Sequence, residues 1–516
     1  MADEIDMLVR RYERARQKRI LWESHYEECY EYALPSKTSF FMKSEGRQRT
    51  EKIFDETAVV GVQEFASRLQ AGMVPNFARW SELIPGGEVP DDEKADVTEA
   101  LDKITEYMFE IIQNSNFAQE TNECFLDLAL GTACMQIDEG NALEPLKFSA
   151  IPLPQLYLDN GPDDTLDTIF RVREMKTSNL VAAYRRTVFP REIATAAARG
   201  EEQIHQVVEG CYRVYGSDSQ ERYEHRAFLP REKVMLASAD HMGEGSSPFI
   251  AFRWAKAAGE TWGRGPLFNA LPAIKVCNLV VQLILENAQM SIAGIYTAED
   301  DGVVNVDTIK LIPGTIIPVA PGSGGIQAVK QAGNFDVAQL VLSDMRNNIK
   351  KALYNDMLGN PNRGTPMSAT EVSERMSDLS RQIGAAFGRI QSEFVNKVLR
   401  RCLYLLRKQG LIQLPTVNNR VVKIRSSSPL AQAQSYQDIQ AVDRWVELIG
   451  ARLGPQLVNL FVDGDAVAAY MAEKFGVPSK LLRSGEERAQ MIQQMSQQMA
   501  QQQGQQNGGG QIPPGA

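Results

Sequence analysis

Apolar residues recur at helical spacing through residues 366–410, and no proline follows Pro366 in that stretch. The apolar stripe consists of Val372, Met376, Leu379, Ile383, Phe387, Ile390, Phe394 and Val398. This pattern predicts one helix of about 40 residues, roughly 60 Å long. A helix of this length must bury its stripe from end to end, which favours a helical bundle, a coiled coil or a ring of subunits.

The opposite face of this predicted helix carries small or modestly charged side chains. They are Glu374, Asp378, Arg381, Ala385, Gly388, Ser392 and Asn396. Because the regular e and g charges of a heptad zipper are missing, a coiled coil is the weaker interpretation. The small side chains permit close approach of another chain or leave space open. Periodicity alone fits equally well a large monomer whose long helix kinks at Gly384.

Helical spacing predicts shorter helices elsewhere in the chain. They cover residues 8–34, 55–72, 93–130, 266–293 and 334–356, with two or three more between residues 426 and 482. In the first of them we expect an inner face of Leu8, Tyr12, Ile20, Trp22 and Tyr26. Its outer face is basic, and we expect a solvated surface there rather than a binding site. The basic residues are Arg10, Arg11, Arg14, Arg16, Lys18 and Arg19.

Between residues 146 and 256 the apolar period changes to two, which predicts strands. The predicted strands cover residues 148–158, 168–175, 206–215, 223–229, 234–239 and 249–254, with a helix near 180–186. Residues 294–333 mix apolar residues with Gly and Pro, which predicts a compact strand-and-turn insert between two helices. One more strand is predicted at 421–425. The fold class is therefore α+β and mainly helical.

Composition narrows the class of protein. The chain has 516 residues, 43% apolar and 23% charged, which is enough for two to four domains with real cores. No run of eighteen uncharged apolar residues occurs, so we expect no membrane span. Six cysteines without a CxxC pair are typical of buried free thiols and make zinc improbable. The net charge of −10 argues against a dedicated duplex-binding surface, although DNA as a passing substrate stays open.

Motifs that carry chemistry are missing from the sequence. No glycine-rich turn ends in Gly-Lys-Ser/Thr, and Ser323 lacks the first glycine of a nucleophile elbow. The four histidines show no metal-ligand spacing, and the paired acids lie in loops where turn and cap roles explain them. No catalytic residue, metal or cofactor is therefore predicted.

Several local strings, in this order along the chain, are similar to those of the portal, or head-to-tail connector, family of short-tailed bacteriophages. The strings are Asp-Glu-Thr-Ala at 55–58, Phe-Ala-Ser-Arg-Leu-Gln-Ala-Gly-Met-Val-Pro at 65–75 with Trp80, Gly-Arg-Gly-Pro at 263–266, Leu-Pro-Ala-Ile-Lys at 271–275 with Asn278, Ser-Ala-Thr-Glu-Val at 368–372 with Arg375, and Ser-Pro-Leu-Ala-Gln-Ala-Gln at 428–434. Each string alone is weak, but their common order is strong support for the resemblance, which extends to about residue 482.

The resemblance implies a subunit with named parts. They are N-terminal helices and an α+β wing (1–260), stem helices (261–293 and 334–356), a strand-rich clip (294–333), a tunnel loop (357–369), a long channel-side helix (370–410), a return strand to the wing (411–437), a helical crown (438–485) and a Gln/Gly-rich tail (486–516), partly disordered. The two stem helices would form a hairpin around the clip.

The resemblance also implies a function without catalysis. The subunits would form a ring of about twelve at one capsid vertex of the virion, after synthesis in the host bacterial cytoplasm. Double-stranded DNA would pass through the ring during packaging and ejection. The implied partners are other copies of the chain, the terminase motor, a tail adaptor protein, the scaffolding protein and the major capsid protein.

Two sets of residues are candidates for contacts in such a ring. The tunnel loop and the channel-side helix would offer Asn360, Asn362, Arg363, Thr365 and Arg381 to DNA. The clip would offer Val303, Ile309, Ile316, Ile317 and Val319 to a neighbouring subunit and to docking partners. Arg363 is the best single candidate for a phosphate contact, because it is the only charged residue between Asp356 and Glu371.

Two other functions stay open at this point. One is a soluble multidomain enzyme whose active site lacks a local motif, and the other is a monomeric helical adaptor. Particle size distinguishes them from a portal, since either alternative would run as a monomer or a small symmetric oligomer.

Overall fold

The computed structural model describes residues 2–41, 50–86, 89–90, 94–162, 164–216, 221–293, 296–297, 327–328, 335–355, 382–414, 422–454 and 461–475. Within these ranges the α-helices are α1 (Ala2–Ala33), α2 (Thr57–Met73), α3 (Lys94–Gln113), α4 (Phe117–Leu128), α5 (Thr177–Ala183), α6 (Arg191–Arg199), α7 (Pro266–Ala293), α8 (Phe335–Ala352), α9 (Gly384–Ile390), α10 (Asn396–Lys408), α11 (Pro429–Leu453) and α12 (Gly464–Phe475). The α+β prediction is confirmed, although helices make up about half of the fold rather than most of it.

The strands of the described residues form antiparallel sheets. They are β1 (Ser81–Ile84), β2 (Thr132–Glu139), β3 (Leu146–Ala150), β4 (Leu156–Asn160), β5 (Leu166–Lys176), β6 (Ile204–Val214), β7 (Arg222–Leu229), β8 (Val234–Met242), β9 (Phe249–Arg253), β10 (Tyr296–Thr297), β11 (Gln327–Ala328) and β12 (Lys423–Ser426). A five-stranded sheet has the order β4-β5-β6-β7-β8, and a three-stranded sheet has the order β3-β2-β9. The pairs β1-β12 and β10-β11 form two-stranded ladders.

Both faces of the five-stranded sheet are covered by helices. On one face Leu8 and Tyr12 of α1 pack with Phe170 and Val208. On the other face α5 and α6 cover Val207. Val207 precedes Val208 in β6, and successive side chains of a strand point to opposite faces of the sheet. Double coverage explains why successive residues of β6 are buried.

The predicted faces of α1 are wrong at two positions. Arg19, assigned to the solvated face, is 2% exposed, and its Nη1 donates to the carbonyls of Pro154 and Leu156 at 2.8 Å each. Ile20, assigned to the inner face, is 52% exposed. The reason is that α1 runs along β4, where the carbonyl of Leu156 and that of Pro154 just before the strand accept from the guanidinium.

The predicted helix 93–130 is two helices, because the chain turns at Asn116. The Asn116 side chain bonds to both backbone groups of Phe148, donating from Nδ2 to the carbonyl oxygen at 2.8 Å and accepting the amide at 3.1 Å. The sequence pattern predicts neither β1, nor β2, which directly follows α4, nor helix α6. The predicted strand 148–158 is divided between β3 and β4, which belong to different sheets.

The long helix is described from residue 382 onward, and residues 356–381 lie outside the described ranges. A π-turn, Gln391–Val395, joins α9 to α10. The predicted apolar stripe is confirmed where it is described, because Ile383, Phe387, Ile390, Phe394 and Val398 are buried. Ile383, at φ −92° and ψ 9°, is not helical, so the chain is irregular immediately before Gly384.

An ion pair fixes the π-turn against the three-stranded sheet. Glu393 accepts from the backbone amide, Nε and Nη2 of Arg253, at 3.0, 3.2 and 2.7 Å. Arg253 also donates from Nη1 to the Thr261 carbonyl at 3.1 Å. The buried guanidinium is thus satisfied on several sides, as a buried charge requires.

The chain divides into two compact units. The first comprises residues 1–72 and 114–405, and the second comprises residues 73–113 and 406–516. In the second unit α3 packs against the β1-β12 ladder, where the rings of Trp80 and Phe109 are 4.9 Å apart. Ser428 caps α11 by accepting the Ala431 amide at 3.3 Å. All six cysteines are buried free thiols, as predicted.

A candidate functional site on a helical hairpin

Every residue singled out in the sequence as a candidate contact lies outside the described part of the chain. These residues are Asn360, Asn362, Arg363, Thr365 and Arg381 of the tunnel-loop set, and Val303, Ile309, Ile316, Ile317 and Val319 of the clip set. The structure does describe the elements that precede and follow both sets.

Helices α7 and α8 pack against each other as a hairpin. Strand β10 follows α7 and pairs antiparallel with β11, which precedes α8, so that Tyr296 lies opposite Ala328. The two described ends of the predicted strand-and-turn insert are therefore strands paired with each other. The helix predictions 266–293 and 334–356 are confirmed for residues 266–293 and 335–352.

Asp55 joins both hairpin helices to the start of α2. Its Oδ2 accepts from Nε and Nη2 of Arg346 on α8, at 2.8 and 2.6 Å. Asn278 of α7 accepts with Oδ1 from the amides of Phe54 and Asp55, at 2.8 and 3.1 Å. Asp55 Oδ1 accepts the Thr57 amide at 3.0 Å, which satisfies a free donor at the start of α2.

The charges of this cluster follow from burial and hydrogen bonding. Burial raises the pKa of Asp55, but the hydrogen bonds from Thr57 and Arg346 outweigh it and hold that pKa below its ordinary value. The hydrogen bond to Asp55 raises the pKa of Arg346. Burial raises the pKa of the neighbouring Cys277 to about 11, so its thiol stays protonated at neutral pH. Asp55 is therefore ionised and Arg346 is protonated when the hairpin is in place.

Large apolar side chains remain exposed on the hairpin. Val276, Leu279 and Leu283 of α7 are 44%, 54% and 54% exposed and lie along one stripe, because they are three and four residues apart. Leu285 is 53% exposed on the other side of the same helix. On α8, Leu340 is 66% exposed. Exposed apolar residues in a contiguous patch mark an interaction surface, so the hairpin presents apolar contacts on more than one side.

By length and composition, Pro266–Gln289 of α7 is also long and apolar enough to cross a membrane. One such helix is weak support for a membrane span, because core helices of globular proteins pass the same test. Its charged and polar contacts point to protein surroundings instead: Lys275 pairs with Glu28 at 2.7 Å, and Asn278 binds the loop before α2.

The described residues do not form a metal site. No group of three or more His, Cys, Asp or Glu side chains that could hold a metal ion occurs among them. The polar side chains at the hairpin base are engaged in structural hydrogen bonds. The arrangement can therefore hold elements together and offer apolar contacts.

The residues at the hairpin base have no role that the sequence predicts. Asp55 and Asn278 belong to the strings that carry the family resemblance, so a signal for them was present. Arg346 has no local signal, because its partner Asp55 lies 291 residues earlier in the chain.

Comparison with known proteins gives one family and several relatives. A family profile described as "Bacteriophage head to tail connecting protein" matches residues 6–482. A "Probable portal protein" of Bordetella phage BPP-1 is 24% identical over 522 residues, covering 96% of this chain and 92% of the phage protein. The "Portal protein" of Enterobacteria phage T3 is 21% identical over 500 residues, covering 93% and 89%.

A solved structure titled "Virion of native gene transfer agent (GTA) particle" contains a chain with 12% identity and a TM-score of 0.35, covering 78% of this chain and 86% of that one.

Proposed function

Because this chain belongs to the family of bacteriophage head-to-tail connecting proteins, we propose that its α7-α8 hairpin is the stem of a portal ring through which double-stranded DNA is packaged and ejected. The chain is a phage portal protein of the virion head-tail junction, with a structural and not an enzymatic role. The family implies an oligomeric ring. The subunit number, the contacts and the partners given below are our proposals.

The observation that carries this proposal is the exposed apolar surface on different sides of the hairpin. In a cyclic ring each subunit contacts one neighbour on each side through two different surfaces. Leu279 and Leu283 on one side of α7, and Leu285 on the other, fit that arrangement. Burial of a leucine side chain contributes about 1.5–3 kcal/mol, and the contact repeats around the ring.

The remaining parts of the subunit are assigned around this stem. We propose that residues 1–260 form the N-terminal helices and the wing, that 294–333 form the clip, and that 438–485 form the crown. Residues 357–369 would be the tunnel loop, 370–410 the channel-side helix and 411–437 the return strand. The resemblance of the ordered sequence strings supports these assignments, and the β10-β11 pair at the hairpin end supports the position of the clip.

The proposed partners are those that the family resemblance implies. A ring of about twelve copies would dock the terminase motor and later the tail adaptor through the clip, and would contact the major capsid and scaffolding proteins. DNA would slide past Asn360, Asn362, Arg363, Thr365 and Arg381. The net charge of −10 is consistent with weak contacts, because a channel that bound phosphate tightly would hold the DNA it must release.

The experiment is a mass measurement of the purified protein together with electron-microscope views along the particle axis. We expect rings of about twelve subunits. The variant Leu279→Glu with Leu283→Glu should remove the rings and leave folded monomers, because it buries charges in the interface. The matched control is Lys351→Glu, which places a new acid at an exposed position of α8 and should leave the rings intact. A wild-type particle that is a monomer or a dimer would show that the hairpin is not a ring stem.

A further inference from the structure

Helix α8 ends in a turn whose backbone geometry is set by hydrogen bonds. The amide of Asn355 donates to the Lys350 carbonyl at 2.8 Å, and the amide of Tyr354 donates to the Lys351 carbonyl at 3.0 Å. This is the hydrogen-bond pattern of a Schellman cap, in which the residue at the position of Tyr354 adopts left-handed backbone geometry. Tyr354 does so, with φ 58°. A tyrosine rarely occupies this position, because its Cβ crowds the backbone there and glycine avoids that cost.

The turn is held by α2 and by Trp254, both of which belong to the first unit. Asn355 Nδ2 donates to the Gly61 carbonyl at 2.8 Å, and Arg68 Nη1 donates to the Asn355 carbonyl at 2.5 Å. The ring of Tyr354 packs at 5.7 Å from that of Trp254. Leu353, the residue before Tyr354, is fully buried, so the start of the turn is packed in the core.

Gly61 of α2 leaves room for this arrangement. A Cβ at that position would lie 2.8 Å from Leu353 Cδ1 and 3.2 Å from Asn355 Nδ2. Glycine inside a helix is unfavourable, so its presence on the face of α2 that contacts the turn is explained by the close approach it permits. The contacts from α2, the strained backbone and the ring contact together restrict the turn to one geometry.

We propose that this turn is a joint that fixes the direction in which the chain leaves the stem, and that Arg68, Tyr354 and Asn355 are positioning residues for the DNA-handling segment that follows. Strained backbone such as that of Tyr354 persists only where the surroundings over-determine it, and here α2 and Trp254 do so. The proposal rests on the proposed function, because that function assigns residues 357–369 to the DNA channel.

In a ring the joint is repeated in every subunit. A change of direction at Tyr354 therefore moves every copy of the following segment relative to the channel axis. A site loses function when its supporting contacts are loosened by about 1 Å, even if its own residues are intact. We therefore expect loss of the joint to disturb DNA handling without preventing ring assembly.

The test uses phage that carry the full-length portal protein with Arg68→Ala, Asn355→Ala or the conservative Arg68→Lys. The matched control is Lys351→Ala, which removes an exposed side chain from the last turn of α8. Ring assembly and melting temperature are measured on the purified proteins. DNA handling is measured as nuclease-protected, full-length genomes per particle and as their retention over time.

We expect Arg68→Ala and Asn355→Ala to form rings but to lower retained full-length DNA by about three- to tenfold, the factor by which losing one hydrogen bond shifts the equilibrium of the turn. Arg68→Lys should recover much of the loss, because one donor suffices for the Asn355 carbonyl. Hydrogen exchange should speed up at the amide of Asn355 and stay unchanged in the five-stranded sheet.

Three results would overturn the proposal: normal DNA retention in both alanine variants, loss of their rings, or an equal defect in Lys351→Ala.

The variant Arg363→Glu tests the channel assignment independently of the joint. If Arg363→Glu impairs retention while the joint variants behave normally, the joint is wrong and the channel assignment stands. If all of these variants retain DNA normally, the joint is wrong and Arg363 is removed from the functional residues as well, while the portal function itself is tested separately by the particle-size measurement.

Discussion

At the scale of single residues, the hairpin base depends on a few polar side chains that are distant in sequence. Asp55 is 4% exposed and accepts from Arg346, while the backbone amides of Phe54 and Asp55 donate to Asn278. Asn278 is equally buried. A buried carboxylate that lost its cationic partner would be strongly destabilising, so these residues act as a unit.

We predict that Asp55→Asn lowers the free energy of unfolding by about 1–3 kcal/mol at pH 7, the cost of weakening a buried charged hydrogen bond. The folded-state pKa of Asp55 is depressed, so its contribution is complete above the unfolded-state pKa of about 4 and is lost as pH falls through the folded value. The difference between wild type and variant should therefore shrink in acid. Urea unfolding at pH 7 and near pH 3 measures it.

Asp344→Asn on α8, the helix that carries Arg346, is the control, because Asp344 is exposed. It should leave stability almost unchanged at both pH values. An Asp55→Asn effect that is independent of pH would contradict the role of the Asp55 charge.

A second prediction at this scale concerns Arg363, the candidate phosphate contact. Arg363→Glu should assemble normal rings yet impair DNA retention or translocation, because it replaces attraction by repulsion at every copy. Each exposed pair is worth only about 0–1 kcal/mol, so the effect depends on repetition around the ring. Packaging assays with particle counts check it, and wild-type packaging and retention would remove Arg363 from the functional residues.

At the scale of elements, the helices with a strong apolar period are long, and a short pair of strands lies at the end of the helical hairpin. The hairpin helices α7 and α8 enclose an insert whose described ends form the β10-β11 ladder. The long helix follows its predicted stripe through α9 and α10, but it includes a π-turn where Glu393 meets Arg253. A π-turn adds a residue to the helix and thus shifts the side chains that follow it.

We predict that deletion of residues 303–325 leaves a folded protein that cannot engage the packaging motor or the tail adaptor. The deletion removes the candidate docking residues but leaves the paired ends β10 and β11. Binding assays with the purified motor and adaptor, together with packaging assays, give the measurement. Normal packaging by the deletion protein would show that the insert is not a docking clip.

At the scale of the whole molecule, the chain forms two compact units, each assembled from separate stretches of sequence. Residues 73–113 join with the C-terminal part of the chain, while the stretch between them belongs to the first unit. The pairing of β1 with β12 shows how distant the partners are, because Glu82 lies opposite Arg425. Their side chains also form an ion pair at 2.6 Å.

We predict that removal of residues 505–516 leaves ring assembly unchanged. These residues carry no apolar pattern that could pack against a core or a neighbour. Sizing of the truncated protein and axial electron-microscope views give the measurement. Loss of rings would show that the tail takes part in assembly.

The sequence by itself determined the periodic elements and the family. Helices α2, α7 and α8 were located to within a few residues, and strands β5 to β9 were found, because apolar spacing and chain breakers are local signals. The ordered strings by themselves identify a portal-type chain. They also contained Asp55, Arg68 and Asn278, although their roles could not be read from them.

Only the tertiary structure decided which distant groups meet. Arg19 is buried against β4 and Arg346 is bound to Asp55, because those acceptors are brought near by folding and not by spacing. Left-handed geometry at Tyr354 is likewise imposed by contacts from α2 and Trp254, against the local preference of tyrosine. The conformational preference of a single residue contributes little free energy, and long-range packing overrides it wherever buried polar groups must find partners.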